Sequence, residues 1–179
     1  MDDNWVTDRL KGSDLSRRII FMHLVAYPSP SMDDDVEPPI NQTNHWCLFL
    51  DFGDNTSVRI DVSPGYGPDG YRAKIRLASR DHACTRNHLY KSTYTVNLNH
   101  TVTVQDLVVV AQTNGRQKYE FSIGWEGCRY WNYMFIRDLE NQYILTRGAA
   151  IQAWDSMSWF YHTIHGASRS PVKAGVFWS

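Results

Sequence analysis

Residues 45–63 carry the pattern that most limits what this chain can become. From His45 to Phe52 the side chains alternate. Trp46, Leu48, Leu50 and Phe52 share one face, and His45, Cys47, Phe49 and Asp51 share the other. A period of two is the mark of extended backbone, whose successive side chains leave on opposite sides. Gly53-Asp54-Asn55 supplies a turn. The alternation then resumes, with Val58, Ile60 and Val62 on one face and Arg59, Asp61 and Ser63 on the other. The segment predicts an antiparallel β-hairpin with one apolar and one polar-tipped face.

The surrounding sequence extends that layer and then covers it. Ile19 to Tyr27 is dense in apolar residues and predicts a buried strand ending at Pro28. Residues 29–42, with three prolines and three consecutive aspartates, predict a surface loop. Ala73, Ile75 and Leu77 alternate with Arg72, Lys74 and Arg76, another half-buried strand. Residues 79–88 read as a polar, irregular loop, and 92–98 as a further strand. Thr101 or Thr103 can cap a helix through Val104, Leu107, Val108 and Ala111 that stops at Asn114-Gly115. Gly124 to Gly127 turns the chain into a helix starting near Cys128, with Trp131, Met134, Phe135 and Leu139 at helical spacing. A last helix is expected over 148–164, with Ala150, Trp154, Met157, Tyr161 and Ile164 on one side. Val176-Phe177-Trp178 is expected to dock on the body. Strands grouped first and helices last predict an α+β fold, an antiparallel sheet packed against helices. Residues 1–18 read as a loosely held polar arm and 19–179 as a single domain.

Composition removes several classes of function. With 42% hydrophobic and 21% charged residues, the chain is not of the disordered class. The net charge of −1 implies no general attraction to nucleic acid or to an anionic membrane. Its longest apolar runs, such as Val108 to Ala111, are far too short to span a bilayer. The acidic, polar start without an apolar run after it predicts a cytoplasmic protein. Three widely spaced cysteines, Cys47, Cys84 and Cys128, form neither a disulfide framework nor a zinc motif. No cofactor and no metal are expected. The partner expected is a small-molecule substrate, and the sequence leaves the oligomeric state open.

The residues that can do chemistry are few. Cys128 stands where a turn becomes a helix. A helix N-terminus carries about half a positive charge and unpaired N–H groups, which stabilise a thiolate and can hold an oxyanion. His45, at the head of an alternating strand, is a candidate base. Asp61, on the polar face of the next strand, could orient the imidazole and stabilise its charged form. Cys47 shares the face of His45 but lacks a helix N-terminus, so it ranks below Cys128. Cys84 lies in a His- and Arg-rich loop, and His162 and His165 stand three apart on the expected last helix. Neither group has the spacing of a strong metal site.

Asn44-His45-Trp46, the strand–turn–strand after it, and Gly127-Cys128-Arg129-Tyr130-Trp131 at a helix start resemble the permuted branch of the NlpC/P60 papain-like superfamily. The lecithin:retinol acyltransferase-like proteins belong to that branch. The wording of the two motifs is also similar to a group of small, mostly fungal proteins of unassigned function, some encoded near secondary-metabolite genes. The resemblance covers about residues 19–140. It implies a circularly permuted papain-like arrangement, with His45 as base, Asp61 as third residue and Cys128 as nucleophile. The family's third residue is often histidine, and its cysteine is flanked by Asn and Glu where this chain has Gly127 and Arg129.

The function expected is cysteine-dependent acyl transfer, as a hydrolase or acyltransferase on an amide, ester or thioester of a small, fairly apolar substrate. The Cys128 backbone N–H and the Asn44 side chain would hold the oxyanion, and Trp46, Trp125, Arg129 and Trp131 would contact the substrate. The alternatives are a cofactor-free cyclase or isomerase using His45 and Asp61 in an aromatic pocket, or a small-molecule binding protein without turnover.

Overall fold

The structure is a computed structural model and describes residues 4–28, 43–85, 87–97 and 100–178. The expected loop over 29–42 and the last residue of the expected strand over 92–98 lie outside the described residues.

Strands β1 (Trp5–Arg9), β2 (Phe21–Tyr27), β3 (His45–Asp51), β4 (Ser57–Tyr66), β5 (Arg72–Arg80) and β6 (Tyr90–Thr95) come first. Helix α1 (Val104–Thr113), strand β7 (Tyr119–Glu120) and helices α2 (Cys128–Asn141) and α3 (Ala149–Met157) follow. A small hairpin, β8 (Trp159–Thr163) and β9 (Gly166–Arg169), and a final strand β10 (Val176–Phe177) complete the order. The main sheet runs β10-β7-β5-β4-β3-β2-β6, antiparallel at every step, with β1 lying parallel to β5. The fold is α+β: one curled sheet and three helices.

The apolar face read from the alternation is the core. Met22 and Leu24 of β2, Trp46, Leu48 and Leu50 of β3, Ile60 and Val62 of β4, and Ile75 and Leu77 of β5 are all buried on it. The helices close over that face with Leu107 and Val108 of α1, Trp131, Phe135 and Leu139 of α2, and Ala153 and Met157 of α3. Burying each large apolar side chain is worth about 2 kcal/mol, so this layer carries most of the driving force.

The other face is not the solvated surface its polar tips suggest. Val25, Tyr27, Cys47 and Phe49 form a second buried cluster, with Cys84 packed against it. The segment read as a polar, irregular loop contributes to the cover: the His82 ring lies tilted 6.0 Å from that of Phe49, and its carbonyl accepts from Ser57 Oγ at 2.7 Å. His45, Arg59 and Asp61 therefore sit in a place shielded from water.

Three expectations are corrected. The N-terminal arm is not loose. Trp5–Arg9 pairs with β5, and buried Asn4 donates from Nδ2 to the carbonyls of Ala73 at 3.0 Å and Gln117 at 2.8 Å. Asp14, in a short 3-10 turn over Gly12–Ser16, accepts from Ser79 Oγ at 2.6 Å. The last helix ends at Met157, not near 164. The run Trp159-Phe160-Tyr161 takes up strand structure, turns at Ile164-His165, and leaves Ile164 exposed. The strand expected from residue 92 starts two residues earlier, at Tyr90.

Other expectations hold. Thr103 caps α1 in a reciprocal capping box with Asp106. The tail docks: β10 pairs with β7, and Phe177 lies 4.6 Å from the Tyr119 ring. Among the described residues no helix is long and apolar enough to cross a membrane.

Candidate active site

Register brings His45 and Asp61 together. Cys47 of β3 stands opposite Asp61 of β4, so His45, two residues earlier on the same face, is the diagonal neighbour of Asp61. His45 Nε2 donates to Asp61 Oδ1 at 2.6 Å. The other group acting on the imidazole is Cys128, at the start of α2, whose interaction with the ring favours the charged forms of both side chains.

The electrostatics suit an ion pair. Burial opposes a charged His45, but the Asp61 charge and hydrogen bond, with those of Cys128, outweigh it and raise the imidazole to about 10. Burial likewise opposes a charged Asp61. His45, Arg59 and Arg76 overcome it and hold the carboxyl well below its usual range. At Cys128 burial disfavours the thiolate, while His45, the Trp46 backbone N–H and the Arg129 charge favour it, and the net shift is downward. Cys128 as a residue is only partly buried.

A second histidine on this sheet shows what the first one gains. His23 Nε2 meets Asp51 Oδ2 at 3.0 Å, and its Nδ1 meets Thr93 Oγ1 at 2.9 Å. There burial wins, Lys91 and His88 add to it, and the imidazole is shifted down. Both ring nitrogens are occupied, so none is left for a thiol.

The helix start is built to leave its N–H groups open. Gly127 precedes α2 without a side-chain cap. A Cβ at Gly127 would lie 2.7 Å from Tyr119 Oη and 2.9 Å from Phe121, so only glycine fits there. Tyr119 Oη donates to the Gly127 carbonyl at 3.0 Å and accepts from Gly175 N–H at 2.9 Å, so the tail and the turn share one hydroxyl. The first N–H groups of the helix, beginning with that of Cys128, lie at the end of the helix that carries the Cys128 thiol.

Four residues expected to contact substrate have other work. Asn44 is buried; its Nδ2 donates to the carbonyls of Tyr27 at 3.2 Å and Tyr161 at 3.0 Å, and its Oδ1 accepts from Tyr161 N–H at 2.7 Å. Both amide hydrogens are used, so Asn44 is a clamp between β2 and β8 and has no donor for an oxyanion. Trp46 is buried against Tyr90 and Tyr161, and its contribution at the thiol is its backbone N–H. Trp131 fills the core and donates from Nε1 to the Arg116 carbonyl at 2.7 Å. Arg129 is buried too. It donates to the carbonyls of Met157, Ser170 and Pro171 at 2.9–3.0 Å and to Glu126 Oε2 at 3.2 Å. It thus fixes the tail, and it acts on Cys128 only through its charge. Trp125 alone keeps an exposed ring, 5.9 Å from Tyr71, on backbone with φ of 64°.

Cys47 is excluded as a rival nucleophile, because burial, ahead of the Asp61 charge, pushes its thiol up to about 12. Cys84 is also shifted up by burial. His162 is on β8 and bonds Ser168 Oγ at 2.9 Å, and His165 is in the following turn. No group of three or more potential metal ligands occurs among the described residues.

Sequence reasoning missed two residues. Asn132, one helical turn after Cys128, donates from Nδ2 to the Trp46 carbonyl at 3.1 Å and the Cys128 carbonyl at 2.8 Å. A polar residue on the apolar stripe of α2 was the available signal. Arg59 donates from Nη2 to Asp61 Oδ2, on the carboxylate oxygen not used by His45. Its signal was its place two residues from Asp61 on the same strand face.

The α+β fold thus carries Cys128 at a helix start and a His45–Asp61 pair on neighbouring strands. The chain belongs to the family described as Domain of unknown function (DUF7770), whose profile matches residues 22–178. It matches no curated protein and no solved structure.

Proposed function

We propose that this protein is a cysteine-dependent acyl-transfer enzyme on a circularly permuted papain-like scaffold. The observation that carries the reading is the series Cys128–His45–Asp61, with the thiol at an uncapped helix N-terminus and shifted toward thiolate. The Cys128 sulfur attacks the carbonyl carbon of an amide, ester or thioester, and the carbonyl π pair moves onto oxygen. Backbone N–H groups at the helix start receive that oxyanion. When the oxygen pair returns, the bond to the leaving group breaks, and the His45 imidazolium supplies the proton that the leaving group takes. His45 then removes a proton from water, an alcohol or an amine. The incoming oxygen or nitrogen displaces the thiolate, which closes the cycle. Asp61 holds the ring and its charge throughout.

The turn leading into Cys128 supports a small, fairly apolar substrate. It carries Ile123, 91% exposed, and the half-exposed Trp125, both within five residues of the thiol.

The test is the pH dependence of iodoacetamide alkylation, mapped to all three cysteines in the wild type and in His45→Ala. The expected result is rapid labelling of Cys128 alone below pH 7, slowed about tenfold or more in the variant. Labelling of Cys128 no faster than that of Cys84, or indifference to His45, overturns the proposal.

A further inference from the structure

We propose that Arg9 of β1 and Arg80 of β5, gathered around Ala78 beside the ion-paired Arg59 of β4, form a binding site for a phosphate-sized oxyanion. Arg59 stands opposite Phe49, farther along the sheet from His45 than Asp61 is, so the site is separate from Cys128 and independent of the role proposed for it.

Register sets the place. Arg9 pairs with Ala78 from one side of β5, and Arg59 pairs with Ala78 from the other. Paired residues share a face, so the row across the three strands reads Arg9, Ala78, Arg59. A shift of register between Val6 and Arg9 is what brings Arg9 level with Ala78. Arg80 stands two residues beyond Ala78 on the same face of β5, opposite Ser57. Elsewhere that face of β5 carries long side chains, at Arg72, Lys74 and Arg76. At Ala78 it carries one methyl group, with three arginines around it. Neighbouring strands lie about 4.8 Å apart and two residues span about 7 Å, so the three side chains start close enough to converge.

Among the described residues the charges on this face do not balance. Arg59 is held by Asp61 Oδ2, and Asp61 is shared with His45. Arg76, opposite Asp61, adds further positive charge. Asp81, next to Arg80, points into solvent and is bonded to His82 Nδ1 at 3.0 Å. Asp8, beside Arg9, is exposed, and Asp14 is bonded to Ser79, whose side chain leaves β5 on the other face. Tyr27 is kept protonated by burial and adds no charge. Neither the Arg9 nor the Arg80 guanidinium makes a hydrogen bond or an ion pair with another described residue. Burial, then the charges of Arg59 and Arg9, lower the value of Arg80, and Asp61 offsets them only in part.

An anion between Arg9 and Arg80 turns that repulsion into charge-assisted hydrogen bonds. Each guanidinium offers a planar fork of N–H donors that matches an oxyanion. The forks approach from β1 and from β5, with Arg59 behind them. A tetrahedral ion, with oxygens on every side, answers donors from several directions better than a planar carboxylate does. Arg80 is partly buried and Arg9 exposed, so the site is shielded on one side and open to solvent on the other.

The experiment is calorimetric titration of the full chain with inorganic phosphate, with sodium chloride holding the ionic strength constant. The wild type should bind with a Kd below about 1 mM, and Arg9→Gln/Arg80→Gln should bind about tenfold more weakly or worse. Phenyl phosphate, run alongside, separates two sources of the same group. Tighter binding than phosphate assigns the anion to a larger ligand, and equal or weaker binding assigns it to the free ion. If the double variant does not fold, the exposed Arg9→Gln is titrated alone, with a loss of about threefold or more expected. A wild type that gives no heat beyond the chloride control, or a folded variant that keeps its affinity, overturns the proposal.

Discussion

The side-chain amide of Asn132 bridges the carbonyl of Trp46, on β3, and the carbonyl of Cys128, at the start of α2. One residue thus ties the strand that carries the imidazole to the helix that carries the thiol. Asn132→Ala leaves a buried carbonyl unpaired at Trp46 and should cost about 2 kcal/mol. Urea unfolding measures that loss. Alkylation of Cys128 should slow in the same variant, because the helix start is no longer pinned to β3.

Stability should fall at alkaline pH through His45. Its folded value, about 10, lies above the unfolded value near 6.5. The native state therefore binds the extra proton, and the stabilisation is complete below about pH 6.5 and lost as pH rises through the folded value. Asp61 acts in the opposite sense, because its folded value is depressed. Its contribution is present above about pH 4 and lost as pH falls. Urea unfolding at pH 6 and at pH 10 should show a drop in the wild type. The drop should be largely absent in His45→Gln, and an equal drop in both would refute the linkage.

Asn44→Ala separates a clamp from an oxyanion donor. Three hydrogen bonds to Tyr27 and Tyr161 are lost, and the expected cost is about 3 kcal/mol, read by thermal or urea unfolding. The pH midpoint of Cys128 alkylation should stay where it is. Once a substrate is in hand, a fall in kcat of a hundredfold or more with unchanged stability would return Asn44 to the oxyanion site.

Gly175→Ala should release the tail. A Cβ there would sit 2.1 Å from the Glu120 carbonyl oxygen and 2.5 Å from Tyr119 Oη, so β10 cannot stay paired with β7. The cost of such overpacking is about 2 kcal/mol. Hydrogen exchange should show loss of protection at Phe177, and limited proteolysis should cut the tail first. Because Tyr119 Oη then has only Gly127 to hold it, Cys128 labelling should slow as well.

Much of this architecture was legible because it is local. Alternation over β3 and β4 put His45 and Asp61 on one face, and the turn before Cys128 announced α2. Thr101 or Thr103 at one end and Asn114-Gly115 at the other announced α1. What was hidden depends on partners far along the chain. Asp8 and Arg9 make an unpromising strand, and β1 exists because β5 offers an edge and Asn4 is held by Ala73 and Gln117. Helical spacing runs on through Tyr161, but aromatic residues from 159 onward pair as a hairpin instead. Asn44 and Arg129 looked like ligands for a substrate because their backbone acceptors, at Tyr161 and at Met157 to Pro171, cannot be seen from either motif. The net charge of −1 likewise conceals that the buried polar face carries equal and opposite charges at Arg59 and Asp61.

The thiol and the imidazole reach each other only through tertiary packing, since β3 and α2 are separated by most of the sheet in the chain. An unfolded or partly folded molecule therefore carries three ordinary thiols. Under the proposed role, low-pH reactivity at Cys128 is a chemical reporter of the completed fold. A brief pulse of alkylating reagent at pH 6 would count assembled molecules in a mixture, and damage to the fold anywhere between β3 and α2 would silence the nucleophile before it removed the protein.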